Sequence, residues 1–149
     1  MKSLDFFIFG TMQVKVVGDM WIEVNPNPCR REEPDCVVRA ISLATGRTWE
    51  DVHWDLCMLS HINCTMPSVN WLWEAYLKQH RFEKLLLPGN CPNCTTVREF
   101  CKQHPRGTYV VATGNHAVCV RDGNYLDLWD SGDSVVTYFF RKRVMKDGV

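Results

Sequence analysis

Three side chains of this sequence have the types and the placing for covalent chemistry by a thiol: Cys36, His116 and Asp127. A thiol attacks a carbonyl carbon as its thiolate, so a reactive cysteine needs a setting that lowers its pKa, and the open N–H groups and dipole of a helix N-terminus supply one. Cys36 opens the segment CVVRAISLATG directly after Asp35, a residue type suited to an N-cap. Cys57 and Cys101 fall inside helical patterns and Cys119 inside a strand, where a thiol is a small buried hydrophobe; Cys29, Cys64, Cys91 and Cys94 lie in loops. His116 follows Gly114-Asn115 and opens a strand, where it can stand at the rim of a sheet as a base. Val118 and Val120 share its alternation, while Ala117 and Cys119 point the other way. The other four histidines, His53, His61, His80 and His104, lie in helices or at their ends. After the Asp122-Gly123-Asn124 turn the chain runs back and carries Asp127 beside the imidazole. A carboxylate there holds one ring nitrogen so that the other faces the thiol, as a nucleophile, base and orienter require. Trp129 follows on the same strand face to shield that hydrogen bond, and Asp130 is expected to cap the Ser131-Gly132-Asp133 turn instead.

The elements that must position these groups are legible from periodicity and punctuation. Residues 12–24 read as two short strands around a Gly18-Asp19 turn, ended by NPNP at 25–28. The helix opened by Cys36 carries Val37, Ile41 and Ala44 on one face and stops at Gly46. Thr48 with Asp51 starts a second helix bearing Val52, Leu56 and Leu59. Ser68 starts a third with Leu72, Tyr76 and Leu77, and Thr96 with Glu99 forms a capping box for a short fourth. After Gly107 the segments TYVVAT, HAVCVRDG, YLDLWD and VVTYFFRK read as an antiparallel meander. The order predicts an α+β fold, an N-terminal helical part with a C-terminal antiparallel β-sheet, in one domain over 1–149 with residues 1–11 as a loose extension.

With 149 residues, 46% of them hydrophobic and 23% charged, the chain has the make-up of one globular domain, which buries about two-thirds of its unfolded surface. Seventeen basic residues balance seventeen acidic ones, which argues against nucleic acid or an anionic membrane as the main partner. The opening MKSLDFFIFG, with Asp5 inside its apolar run, makes a poor signal peptide, and no stretch reaches the roughly 20 apolar residues of a membrane span. The expectation is a reducing cytoplasm with free thiols and no cofactor.

At this point the motifs resemble a family. HAVCVRDG followed by DLW is similar to the papain-type pattern, in which a histidine in a His-Ala-Val strand precedes an Asn-Ser-Trp segment that orients and shields it. DCVVRAISLATG resembles the start of the papain-type central helix, and more closely that of compact cysteine peptidase-like proteins of bacteria and their phages. The resemblance spans about residues 25–141. It implies a papain-like fold, a Cys36-His116-Asp127 triad and hydrolysis of a peptide, isopeptide or other amide bond in a peptide or protein substrate. The compartment would be a bacterial cytoplasm, or that of a host cell if the chain is phage-encoded. The chain departs from the pattern twice: Arg30 stands where papain-type enzymes place an oxyanion-donating glutamine, and Asp127 stands where papain has asparagine. Asn25 or Asn27 is the candidate replacement donor. The alternatives are an inactive papain-like binding or effector protein, and an acyltransferase using the same triad.

A competing reading concerns metal. CPNC at 91–94, with Cys101 and His104, offers four zinc-ligand types, the second pair three residues apart on one helix. Against it, Pro92-Asn93 makes a turn before a helix whose Cys101 packs inward with Val97 and Phe100. Trp71 and Trp73 read as core, RREE at 30–33 as a solvated loop, and Arg39, one turn after Cys36, as a buried cation that pairs with an acid to fix the helix.

Overall fold

The computed structural model describes residues 14–16, 20–88 and 93–145. The extension at 1–11, the Gly18-Asp19 turn and Cys91 lie outside them. Among the described residues the fold is mixed α and β, with elements in the order β1 (Val14–Val16), β2 (Trp21–Val24), α1 (Cys36–Thr45), α2 (Trp49–Ile62), α3 (Asn70–Gln79), β3 (Phe82–Leu86), α4 (Val97–Gln103), β4 (Thr108–Ala112), β5 (Ala117–Arg121), β6 (Asn124–Asp127) and β7 (Tyr138–Lys142).

The strands join one sheet in the order β1-β2-β6-β5-β4-β7-β3. This corrects the expected C-terminal antiparallel meander. β6 does not pair with β7; β7 returns to the far side of β4, antiparallel to it, and β3 covers the outer edge of β7. β2, from before the helices, pairs in parallel with β6, so the sheet is mixed and draws on both ends of the chain. Strand order follows burial. β4 and β5 are almost continuously apolar and take the centre, whereas β3, FEKLL, alternates and lies at an edge.

Two cores result, one on each face. Ala117, Cys119, Val110, Ala112, Leu126, Phe140 and Ile22 pack with Ile41, Ala44, Val52, Leu56 and Leu77 of α1–α3. Val118, Val120, Val111, Tyr125 and Phe139 pack with Val97, Phe100 and Cys101 of α4. The alternation expected of Ala117 and Cys119 against Val118 and Val120 is thus a division between cores.

α1 is almost wholly buried from Val38 to Ala44 and packs across β4, β5 and β6. Gly46 ends it in the left-handed conformation at φ 74°, its N–H bonded to the Ser42 carbonyl. Thr48 caps α2 through the Asp51 N–H, and Thr96 with Glu99 closes a capping box on α4. α3 begins one residue later than Ser68 suggested, with Val69 at its N-cap. Asp35 holds the N-cap position of α1, but its side chain makes no capping bond.

Candidate active site

The site is assembled where α1 meets the ends of β5 and β6. Asp122 and Gly123 both have positive φ, 48° and 78°, and form the two-residue loop of a tight hairpin. That loop sets a register in which Arg121 faces Asn124 and Cys119 faces Leu126. Beyond these pairs His116, just ahead of β5, lies beside Asp127, the last residue of β6. His116 Nε2 lies 2.6 Å from Asp127 Oδ2, and the ring centroids of His116 and Trp129 are 4.8 Å apart, so the half-exposed indole covers the imidazole. Trp129 reaches this place from the bend after β6 rather than from within the strand.

Cys36, the first residue of α1, lies next to the His116 ring and the Ala117 backbone, both of which act on its thiol. With Nε2 turned to Asp127, Nδ1 is the nitrogen left for the sulfur. Burial alone would push the Cys36 thiol up. The hydrogen bonds from His116 and Ala117, with the positive charges of His116 and Arg39, outweigh it and hold the thiol below its ordinary value. Burial likewise disfavours the charged imidazole, but hydrogen bonds to Asp127 and Cys36 push His116 up to about 9. Both shifts favour one state, a thiolate beside an imidazolium.

Asp127 is buried and fully engaged. Oδ2 accepts from His116 and, at 2.6 Å, from the Ser131 hydroxyl; Oδ1 accepts the Leu128 N–H at 2.8 Å and lies 3.8 Å from Arg39 Nη2. Trp21 of β2 donates to the Asp127 carbonyl at 3.3 Å. Asp130 faces another set: it accepts from Tyr125, from Gly132 N–H at 3.1 Å and from Arg98 at 3.3 Å. It closes the turn, as its position suggested.

Arg39 is buried and ion-paired with Asp35, and also donates to the Glu33 carbonyl at 3.2 Å. Asp35 accepts in addition from Trp49 Nε1 at 2.8 Å and Asn27 Nδ2 at 3.4 Å. These partners draw its carboxylate off the helix N-terminus, which corrects the expectation of a side-chain cap. No side chain then caps the first turn of α1 beside the thiol.

Of the two asparagines, Asn27 is buried and lines the cavity that Cys36 borders, with one amide N–H directed to Asp35. Asn25 is not part of that cavity; its amide donates to the Arg31 carbonyl at 3.0 Å and its oxygen accepts the Asn27 N–H. Asn25 therefore shapes the loop. Ser131, Trp21 and the Ala117 N–H were missed from sequence. Ser131 alone left a signal, a hydroxyl four residues after the proposed orienter.

The metal candidates do not converge among the described residues, where no group of three or more His, Cys, Asp or Glu could hold an ion. Cys101 is buried in the second core, its thiol pushed up to about 12 by burial, and His104 stacks on Phe100 at 3.9 Å with Nδ1 2.9 Å from the Phe100 carbonyl. A second thiol–imidazole contact, Cys57 with His53 at 3.6 Å on α2, has neither a helix N-terminus nor an orienting carboxylate at the ring. No described helix is long and apolar enough to cross a membrane.

No family model, no curated protein and no solved structure matches this chain.

Proposed function

We propose that the chain is a papain-like cysteine hydrolase that cleaves a peptide, isopeptide or other amide bond through an acyl-enzyme at Cys36. The observation that carries the proposal is His116 Nε2 at 2.6 Å from Asp127, with Cys36 at the start of α1 next to the same ring. A buried helix with its first residue at the ends of two strands that carry the histidine and the acid, under a covering tryptophan, supports the papain-like reading.

In this reaction the thiolate forms an S–C bond to the carbonyl carbon, and the carbonyl π electrons move to oxygen. As that oxyanion collapses, the C–N bond breaks and the leaving amine takes its proton from His116. Water then attacks the thioester and gives its proton to the imidazole. The C–S bond breaks, and the acid and the starting ion pair are restored. The Cys36 N–H and the second Asn27 amide hydrogen are the oxyanion donors within the site, each worth on the order of 100-fold to 1000-fold in rate.

Limited iodoacetamide treatment near pH 6 with peptide mapping tests the proposal. Cys36 is alkylated first, and Cys36→Ala abolishes hydrolysis with the fold retained. Preferred alkylation of Cys29 or Cys57 would overturn it. Reaction of Cys36 without turnover of any amide would identify an inactive binding protein, and transfer to an added amine in preference to water would identify an acyltransferase.

A further inference from the structure

Ser131 is 1% exposed and stands in the loop after β6, where its side chain reaches back to the Asp127 carboxylate. A carboxylate only accepts, so the serine hydroxyl donates, at 2.6 Å, to Asp127 Oδ2, the same oxygen that faces His116 Nε2 at 2.6 Å. The other oxygen has partners of its own, the Leu128 N–H at 2.8 Å and, at 3.8 Å, Arg39 Nη2. The loop that presents the serine is clamped to α4, the helix of the second core. Val97 N–H donates to the Ser134 carbonyl at 3.0 Å and Arg98 N–H to the Gly132 carbonyl at 2.9 Å, while the Ser131 carbonyl accepts the Ser134 N–H at 3.0 Å.

Two donors on one oxygen act against each other. The positive end of the Ser131 hydroxyl dipole points at Oδ2, beside the imidazolium, and draws off part of the charge that Asp127 holds against the ring. Without that hydroxyl the bond from His116 to Asp127 tightens and the ring holds its proton harder. The Leu128 N–H and Arg39 still fix the carboxylate plane. Among the described residues, the ionisable groups that act on the ring are Asp127 from β6 and Cys36 from α1. Arg39 stands behind Asp127 with its charge paired to Asp35, and Asp130, next to Ser131, is engaged by Tyr125 and Arg98.

We infer that Ser131 is a positioning residue for the triad: by taking part of the charge of Asp127 it keeps His116 acidic enough to protonate the leaving amine, a role that rests on the hydrolase reading for that last step. Removal of the hydroxyl should then move two ionisations in opposite directions. The ring keeps its proton to higher pH, and the sulfur beside a more persistent imidazolium stays ionised to lower pH. A serine that only packed the loop would, when truncated, lower stability and leave both ionisations in place.

The test compares the intact chain with Ser131→Ala, where the space of one lost hydroxyl is too small for a water to replace it. In an NMR titration the His116 midpoint should rise by about half a pH unit or more, and the acid limb of Cys36 alkylation by iodoacetamide should move down. Turnover separates the roles further. The 4-nitroanilide of N-acetylglycine needs a proton on its leaving group and the 4-nitrophenyl ester does not, so the variant should slow the anilide about threefold relative to the ester. Ser131→Thr keeps the hydroxyl and should keep the wild-type midpoints; should the buried threonine not fold, Ser131→Cys, a weaker donor of nearly the same size, should fall between serine and alanine. A His116 midpoint unchanged or lowered in Ser131→Ala would overturn the inference whatever the loss of stability, as would equal slowing of anilide and ester. A raised midpoint in a chain that turns over no amide would uphold the action of Ser131 on the ring and remove the hydrolase.

Discussion

Burial would silence Cys36 as it does Cys101 and Cys119, whose thiols are pushed up to about 12 inside the two cores. What separates Cys36 is its surroundings: the His116 imidazole, the Ala117 N–H and the charge of the buried Arg39 all favour its thiolate. The resulting ion pair predicts the pH dependence. In the proposed hydrolysis acylation needs His116 protonated to release the amine, so its rate should fall as pH rises through about 9, and on the acid side where the lowered Cys36 thiol regains its proton. The sign for stability is the same: the raised His116 value contributes stability that is complete below about 6.5 and lost as pH climbs through about 9. Rates and unfolding midpoints taken across pH 5–10 check both limbs. Of the two nearby carboxylates, only Asp127 touches the ring. Asp127→Ala should therefore lower the His116 pKa in an NMR titration, whereas Asp130→Ala should leave it near the wild-type value; a larger downward shift in the Asp130 variant would reverse the assignment. The nearness of Cys36, His116 and Asp127 could be read from sequence, because residue type and a two-residue hairpin loop are local signals. Ser131 and the Ala117 N–H could not, since each matters only through a partner that folding brings to it.

Among the elements, the same limit separates the caps that held from the one that did not. Thr48 and Thr96 cap their helices as local rules require. Asp35 has the residue type and the position, yet Arg39, Trp49 and Asn27 compete for its carboxylate and win. Long-range partners of that kind leave no periodicity to read. Nor did β3 or the return of β7 to β4, because strand neighbours depend on which edges remain open after the hairpin of β5 and β6 has formed. The loop after β6 is where local geometry is least forgiving. A Cβ on Gly132 would stand 2.5 Å from Arg98 Nη2 and 2.6 Å from the Tyr125 hydroxyl. The arginine can retreat, but Tyr125 is buried and bonded to Asp130. Gly132→Ala should cost about 1–3 kcal/mol and, by moving Ser131, shift the His116 titration as well. Denaturant melts and the same NMR titration measure the two effects; an unchanged melting midpoint would show that the loop relaxes freely.

At the scale of the whole molecule, the parallel pair of β2 and β6 holds both halves of the site. β2 leads into the loop that ends at Cys36, and β6 ends at Asp127. Ile22 of β2 and Leu126 of β6 are paired in register and share the core with α1. Ile22→Ala, at a residue 1% exposed, should cost about 2–5 kcal/mol. Because the site has no part that stands apart from this core, the thiolate absorbance and the tryptophan fluorescence should vanish at one denaturant midpoint, in wild type and variant alike. Two separate midpoints would show that the site melts independently of the sheet.

The same pairing bears on the time of synthesis. Trp21 and Asp127 are 106 residues apart in the chain, and contacts so distant in sequence are the slow ones to form. A ribosome exposes Cys36 well before it exposes His116 and Asp127. Until β6 docks beside β2, the nascent polypeptide carries an ordinary thiol, protonated at neutral pH and weak as a nucleophile. The low thiol pKa of Cys36 thus arises only after the fold that brings His116 and Ala117 to it.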